Sequence, residues 1–86
     1  MNIVWSEISW KEYMSWQKED KKILKKINEL IKDILRDPQK GIGKSEKLKY
    51  ELSGCYSRRI NKEHRLVYFI QGNNLNIVSC KYHYKK

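Results

Sequence analysis

The sequence predicts an α+β fold in which an N-terminal strand and two helices precede an antiparallel β-meander. Three observations carry this expectation: an apolar stripe of helical period between residues 23 and 35, a switch to strand-like patterning after Gly54, and a Gly72-Asn73-Asn74 turn between two apolar runs. The chain has 86 residues, of which 40% are hydrophobic. A chain of this length buries only ~60–65% of the surface it exposes when unfolded, so residues 1–86 are expected to form a single domain with one modest core. That size excludes a deep cofactor cavity, and one Pro and four Gly exclude a low-complexity linker.

Residues 2–5 (NIVW) read as a short strand, and Ser6 as the N-cap of a first helix whose inward face is expected to be Trp10, Tyr13, Met14 and Gln17. Asp20 offers a second N-cap. Beyond it Ile23, Leu24, Ile27, Leu30, Ile31, Ile34 and Leu35 form the apolar stripe, with Lys22, Lys25, Lys26, Glu29, Lys32, Asp33 and Arg36 on the other side. This helix should stop near Arg36, because Asp37 precedes Pro38 and pre-proline residues avoid the helical region. Residues 37–54 read as a long loop with at most a short turn or strand, and long loops in small domains tend to carry function. Strands are then expected in CYSRRIN, RLVYFI and LNIVSCKYHY. A turn at Gly72 and Asn73 would pair Ile70 with Leu75, Tyr68 with Ile77 and Leu66 with Ser79, giving an apolar face for the helices. The opposite face would show Arg65, Val67, Phe69, Asn76, Val78, Cys80, Tyr82 and Tyr84, edged by Arg58 or Arg59.

The charge is asymmetric. Nineteen Lys and Arg against ten Asp and Glu give a formal net charge of +9, and residues 41–86 hold ten basic side chains against three acidic ones, with five of the six tyrosines. Basic groups interleaved with aromatic rings suit a polyanion whose bases can stack, although a solubilising lysine-rich surface gives the same composition. The lysines of the second helix, Lys22, Lys25 and Lys26, are candidate phosphate contacts. No apolar run approaches the ~18 residues needed to span a bilayer and the opening MNIVWSEIS lacks a basic leader, so a cytoplasmic protein without membrane attachment is expected. Cys55 and Cys80 are then expected as reduced, mostly buried thiols. With His64 and His83 they show no metal-ligand spacing, so neither metal nor cofactor is expected.

Without a nucleophile elbow or a glycine-rich phosphate loop, the available chemistry is acid–base work by histidine and carboxylate, with Arg and Lys holding an anion. That set fits RNA cleavage by attack of the ribose 2′-hydroxyl on the adjacent phosphorus. His83 is the natural acid or base, though it reads equally as an ordinary tail histidine. Glu46 sits among Lys44, Lys47 and Lys49, where a carboxylate repels phosphate unless it accepts a proton or simply pairs with a neighbour. Arg65 is either a phosphate clamp or a sheet-edge charge, and Tyr82 and Tyr84 are either sheet residues or stacking platforms.

The assembled string IVWSEISWKEYMSWQ, KKINELIKD, the G-x-G-K-x-E-x-L-K loop from Gly41 to Lys49, L-S-G-x-x-S-R-R-I from Leu52 to Ile60, EHRLVY from Glu63 to Tyr68 and the terminal C-K-Y-H-Y closely resembles the YoeB toxins of the RelE and YoeB toxin–antitoxin superfamily. The resemblance runs nearly end to end. It implies a microbial-ribonuclease-like fold, ribosome-dependent cleavage of mRNA in the decoding site, and neutralisation by an acidic, partly disordered YefM-type antitoxin, and it leaves a homodimer open. Carried over residue by residue, the family's loop glutamate falls on Glu46, its loop lysine on Lys49, its strand arginine on Arg65 and its terminal pair on His83 and Tyr84, with Arg59 of S-R-R as a phosphate-positioning group. The sequence departs from the family in Cys55-Tyr56, where an aromatic pair is usual, and in the tail Lys85-Lys86. The alternatives are a non-catalytic toxin of the same fold, as in gyrase-inhibiting relatives, and a basic RNA-binding accessory protein. One conflict stands: the ideal register sets Arg65 and His83 on opposite faces, so either a bulge near residues 79–82 re-aims the strand or His83 lies beyond the sheet.

Overall fold

Residues 1–82 are described by the computed structural model, in which β1 (Asn2–Trp5), α1 (Glu7–Glu19), α2 (Lys21–Arg36), β2 (Glu46–Lys47), β3 (Tyr56–Arg59), β4 (Arg65–Gln71) and β5 (Asn74–Ser79) follow in order. The strands form one sheet in the order β1-β5-β4-β3-β2. β3, β4 and β5 are the antiparallel meander. β2 extends it antiparallel to β3, while β1 runs parallel to β5, so the sheet is mixed. Both helices pack on one face, where Trp16, Ile27, Leu30, Ile31 and Ile34 meet Ile60, Leu66, Tyr68, Leu75, Ile77 and Cys80 in one buried cluster.

Both caps form as the side chains dictate. Ser6 accepts from the Ser9 N–H, and Asp20 accepts from the N–H groups of Lys22 and Ile23. α2 ends at Arg36, one residue before the pre-proline Asp37. The 37–54 segment contains, besides β2, one 3₁₀ turn at Tyr50–Leu52.

The inward face of α1 differs from the expectation by one residue of register. Ser9 and Trp16 are buried, Tyr13 is half-buried, and Trp10, Met14 and Gln17 are exposed. One residue is a 100° rotation, and its cause is polar. Ser9 Oγ donates to the Ile77 carbonyl at 2.8 Å, Glu12 Oε1 accepts from the Cys80 N–H at 2.8 Å, and Trp16 Nε1 donates to the Cys80 carbonyl at 2.9 Å. The helix satisfies the backbone at the end of β5, a task that apolar periodicity does not report. Burial pushes the Glu12 carboxyl up, opposed by that Cys80 N–H and by Lys81, and burial lifts the Cys80 thiol to about 12. Both cysteines are free thiols.

Two positions of α2 also depart from the expected stripe. Leu35 is exposed, and Asp33, assigned to the solvent side, is 7% exposed because it pairs with Arg58, which is completely buried. Arg58 further donates to the carbonyls of Asp37 (2.7 Å), Lys40 (3.0 Å) and Ile42 (3.2 Å), and the Tyr68 hydroxyl donates to the Pro38 carbonyl at 2.6 Å. The loop after α2 is thus fastened to the sheet by side chains. Gly41 has φ +139°, and a Cβ there would collide with the Asp33 carboxylate. The hydrogen bond from Arg58 holds the Asp33 carboxyl below its ordinary value of 3.8, opposed by desolvation and helped by the Ile42 N–H. A lowered folded-state pKa contributes stability that is complete above the unfolded value and is lost as pH falls through the folded one. Asp33→Asn should therefore lower the urea midpoint at pH 7, and its gap from wild type should narrow on acidification below pH ~4. A gap independent of pH would exclude this source of stability.

At the β4–β5 hairpin, Ile70↔Leu75 and Tyr68↔Ile77 pair as expected, but Ser79 lies opposite Val67 rather than Leu66. Val78 is the extra residue of a bulge in β5. The bulge returns Cys80 to the helix side, where it is fully buried, instead of the opposite face. β5 then ends at Ser79, so the strand does not continue through Tyr82 as the sequence suggested, and Tyr84 lies outside the described residues. Val67 is buried although it faces away from the helices, as is Ser57.

Candidate active site

Strand register assembles the site. Tyr56, Arg58, Leu66 and Tyr68 point to the helices, so alternation sends Ser57, Arg59, Arg65 and Val67 to the other face. β2 adds Glu46 to that face, because Glu46 lies opposite Ser57. Arg59 and Arg65 are direct cross-strand neighbours. Side chains so paired have Cβ atoms ~4.5–5.5 Å apart, and like charges there destabilise the sheet. Among the described residues neither arginine is ion-paired with a carboxylate. Two adjacent guanidinium groups with a carboxylate across the same face make a receptor for an anion and a proton acceptor near it.

The surrounding backbone holds these groups. Arg65 Nη1 donates to the carbonyls of Asn61 (2.8 Å) and His64 (3.1 Å), which steers the guanidinium along the β3–β4 turn. Asn61 fixes that turn, its Oδ1 accepting from the Glu63 and His64 N–H groups at 2.9 and 2.7 Å. The Arg59 N–H donates to the Gly43 carbonyl at 2.6 Å, bringing the loop that bears Lys44 against β3. Gly43 has φ +82°, and a Cβ there would come within 2.8 Å of Leu30 Cδ2.

The predicted site residues separate into groups. Glu46, Arg59 and Arg65 share one face, and the exposed Lys44 stands beside them through the Gly43–Arg59 contact. Lys47 does not belong there: it lies opposite Tyr56 and lines a hollow on the helix side with Pro38, Gln39, Gly54, Tyr56 and Ile70. Lys49 is exposed, three residues beyond Glu46 at the start of the 3₁₀ turn. Lys22, Lys25 and Lys26 are on α2, across the sheet from the arginines, and form a separate basic patch. Arg58, one of the two candidates for the edge of the site, is instead a buried structural group. His83 and Tyr84 lie outside the described residues.

The chain leads toward the arginines at the last described residues. Tyr82 accepts from the Arg65 N–H through its carbonyl at 3.1 Å, and its own N–H donates to His64 Nδ1 at 2.7 Å. Tyr82 is 58% exposed with φ +63°. Lys81 Nζ bonds Glu19 Oε2 at 2.9 Å and Ser15 Oγ at 3.0 Å and sits 4.7 Å from the Trp16 ring centroid; its hydrogen bond to Glu19 raises its own pKa and lowers that of Glu19. Residue 83 therefore starts one peptide beyond a residue bonded to the Arg65 backbone. The bulge lies at Val78, just before the 79–82 window, and β5 ends at Ser79. Sequence reasoning missed His64 and Asn61: Asn61 read as the end of the strand CYSRRIN, and His64 as a turn residue and a soft ligand without metal-binding spacing. Their available signal was a buried-type residue beside Arg65 and an Asn three positions before His64.

The two-helix layer on a five-stranded mixed sheet is shared with toxins of bacterial type II toxin–antitoxin systems. Residues 5–84 match the family model described as YoeB-like toxin of bacterial type II toxin-antitoxin system. The Escherichia coli K12 toxin YoeB is 57% identical over 84 residues, covering 98% of this chain and all of its own. The Agrobacterium tumefaciens YoeB/ParE toxin superposes with a TM-score of 0.95 at 43% identity, covering 98% of this chain and all of its own. Staphylococcus aureus YoeB, solved as a heterotetrameric complex with YefM, gives a TM-score of 0.90 at 55% identity, with 98% of each chain covered. The chain belongs to the YoeB family of type II toxins.

Proposed function

We propose that this toxin is a ribosome-dependent endoribonuclease that cuts mRNA in the decoding site by metal-independent acid–base catalysis, and that an acidic YefM-type antitoxin neutralises it. The observation that carries the reading is the placement of Glu46, Arg59 and Arg65 on one open sheet face, with the chain segment before His83 bonded to the Arg65 backbone. Glu46 takes the proton of the ribose 2′-hydroxyl, whose oxygen attacks the neighbouring phosphorus in line. His83 gives a proton to the departing 5′-oxygen, leaving a 2′,3′-cyclic phosphate and a 5′-hydroxyl. Arg65 and Lys49 stabilise the charge growing on the phosphoryl oxygens, Arg59 and Lys44 hold the phosphate chain, and Tyr84 positions a nucleotide. The α2 lysines Lys22, Lys25 and Lys26 contact ribosomal phosphates, a task separate from the chemistry. The antitoxin reading is supported by the YefM complex of the Staphylococcus aureus relative and by the excess positive charge of residues 41–86. A homodimer, and action in the cytoplasm, belong to the same reading.

The test uses programmed ribosomes carrying mRNA with a single 2′-deoxynucleotide at the scissile position. Cleavage there should vanish while the all-ribose message is cut, with a cyclic phosphate on the upstream fragment. Cutting of the deoxy message at an unchanged rate would exclude 2′-hydroxyl attack. A wild-type protein that binds ribosomes and leaves every message intact would favour a non-catalytic toxin.

A further inference from the structure

His64 is buried, and its ring is not merely packed there, because Nδ1 accepts a backbone hydrogen bond. Its ring meets Trp16 edge-on with centroids 4.7 Å apart, its Nε2 faces Glu63 Oε1 at 3.6 Å, and Nδ1 accepts the Tyr82 N–H at 2.7 Å. Accepting at Nδ1 requires the lone pair there, which places the ring proton on Nε2, the side of the Glu63 carboxylate. On the other side of the same residue, the Tyr82 carbonyl accepts from the N–H of Arg65, the residue next to His64. Two adjacent residues of β4 and its turn thus grip both backbone polar groups of Tyr82. The grip has work to do, because Tyr82 has φ +63°, a left-handed conformation that tyrosine rarely adopts unless its surroundings impose it. The neighbouring tail residues are held as well, Cys80 by Glu12 and Trp16 and Lys81 by Glu19 and Ser15.

We propose that His64 is a positioning residue for the cleavage reaction: by accepting the Tyr82 N–H it fixes the direction in which the chain leaves the sheet toward His83 and Tyr84. This rests on the ribonuclease reading for its effect on rate, whereas the latch itself is a property of the free protein. His64 does not touch the reacting atoms in this scheme. It acts through Tyr82, whose N–H and carbonyl are both fixed just before His83 in the chain.

Two substitutions separate positioning from packing. His64→Phe keeps a ring against Trp16 and removes the acceptor, while His64→Asn places an amide oxygen near the position of Nδ1 and gives up the ring. The expected result is that Tyr82 amide exchange speeds up at least ~10-fold in folded His64→Phe, and kcat on programmed ribosomes falls ~10–100-fold with KM within about twofold, the scale of a small misplacement of reacting groups. His64→Asn should recover most of both. Unchanged Tyr82 protection in folded His64→Phe, or a His64→Asn protein as defective as His64→Phe, would overturn the proposal. If wild type proves unable to cut RNA, the ribonuclease reading fails alone, and the exchange comparison still decides the latch. Should His64→Phe not fold, nitrogen-15 spectra of wild type at neutral pH serve instead. An unprotonated Nδ1 coupled to the Tyr82 N–H is expected, and a protonated Nδ1 would refute the latch.

Discussion

Folded Glu46→Ala, His83→Ala and Arg65→Ala proteins should each cut mRNA on ribosomes at least ~10²-fold more slowly than wild type, the scale of general acid–base and anion-stabilising groups. The three losses should differ in kind. In the proposed mechanism Glu46 and His83 exchange protons with the reacting oxygens, so their removal should flatten opposite limbs of the pH–rate profile. Arg65 meets charge that builds on the phosphoryl oxygens, so its loss should lower kcat across the whole pH range. Arg59, opposite Arg65 on β3, shares the anion field. Removing both arginines should be less than multiplicative if they hold one phosphate between them. The measurement is single-turnover cleavage, and near-normal cleavage by any one of the three variants would remove that residue from the mechanism. Neither Glu46→Ala nor Arg65→Ala should melt much below wild type: Glu46 is exposed and Arg65 half-buried, and the Arg59–Arg65 pairing is itself repulsive.

How much of this was readable beforehand depends on the kind of force that places each residue. The α2 stripe and the β4–β5 hairpin are set by apolar burial and turn chemistry, both visible in a one-dimensional pattern, and Ile27, Leu30, Ile31 and Ile34 lie where the pattern places them. The face of α1 is set by Ser9, Glu12 and Trp16 satisfying the β5 backbone, and no periodicity in hydrophobicity reports a polar docking. The Val78 bulge is invisible for a related reason: one unpaired residue changes every later side chain without altering composition. For the site, residue types and spacing brought Glu46 and Arg65 forward, the choice of Arg59 over Arg58 came from the family resemblance, and alternation explains why Glu46 and Lys47, adjacent in sequence, end on opposite faces. The ionic strap between Asp33 and Arg58 spans 25 positions, with nothing local to mark either partner.

Arg58→Met should destabilise the protein by ~3–5 kcal/mol, the range for removing one partner of a buried charge pair, and leave it melting tens of degrees lower or failing to fold. Arg58 is fully buried, so its loss strands more than the Asp33 carboxylate. The carbonyls of Asp37, Lys40 and Ile42 lose a donor together, and the Tyr68 hydroxyl loses the Arg58 Nε–H at 3.2 Å. Adding Asp33→Leu removes the carboxylate, which without Arg58 keeps only Arg36 and the Ile42 N–H, but not the three carbonyls, so the double variant should recover only part of the loss. Full recovery would mean that the carbonyls find water freely and that the strap is only an ion pair. The same strap orders the segment from Asp37 to Gly43, whose last carbonyl receives the Arg59 N–H. Backbone exchange at Arg59 should therefore rise in Arg58→Met even in conditions where the protein stays folded. A midpoint within ~1 kcal/mol of wild type, by urea unfolding, would sink the assignment. Two adjacent arginines of one S-R-R run thus sit on opposite sides of the same strand alternation: Arg58 turns inward and fixes the loop, and Arg59 turns outward beside Arg65, where the proposed mechanism has it hold the phosphate chain.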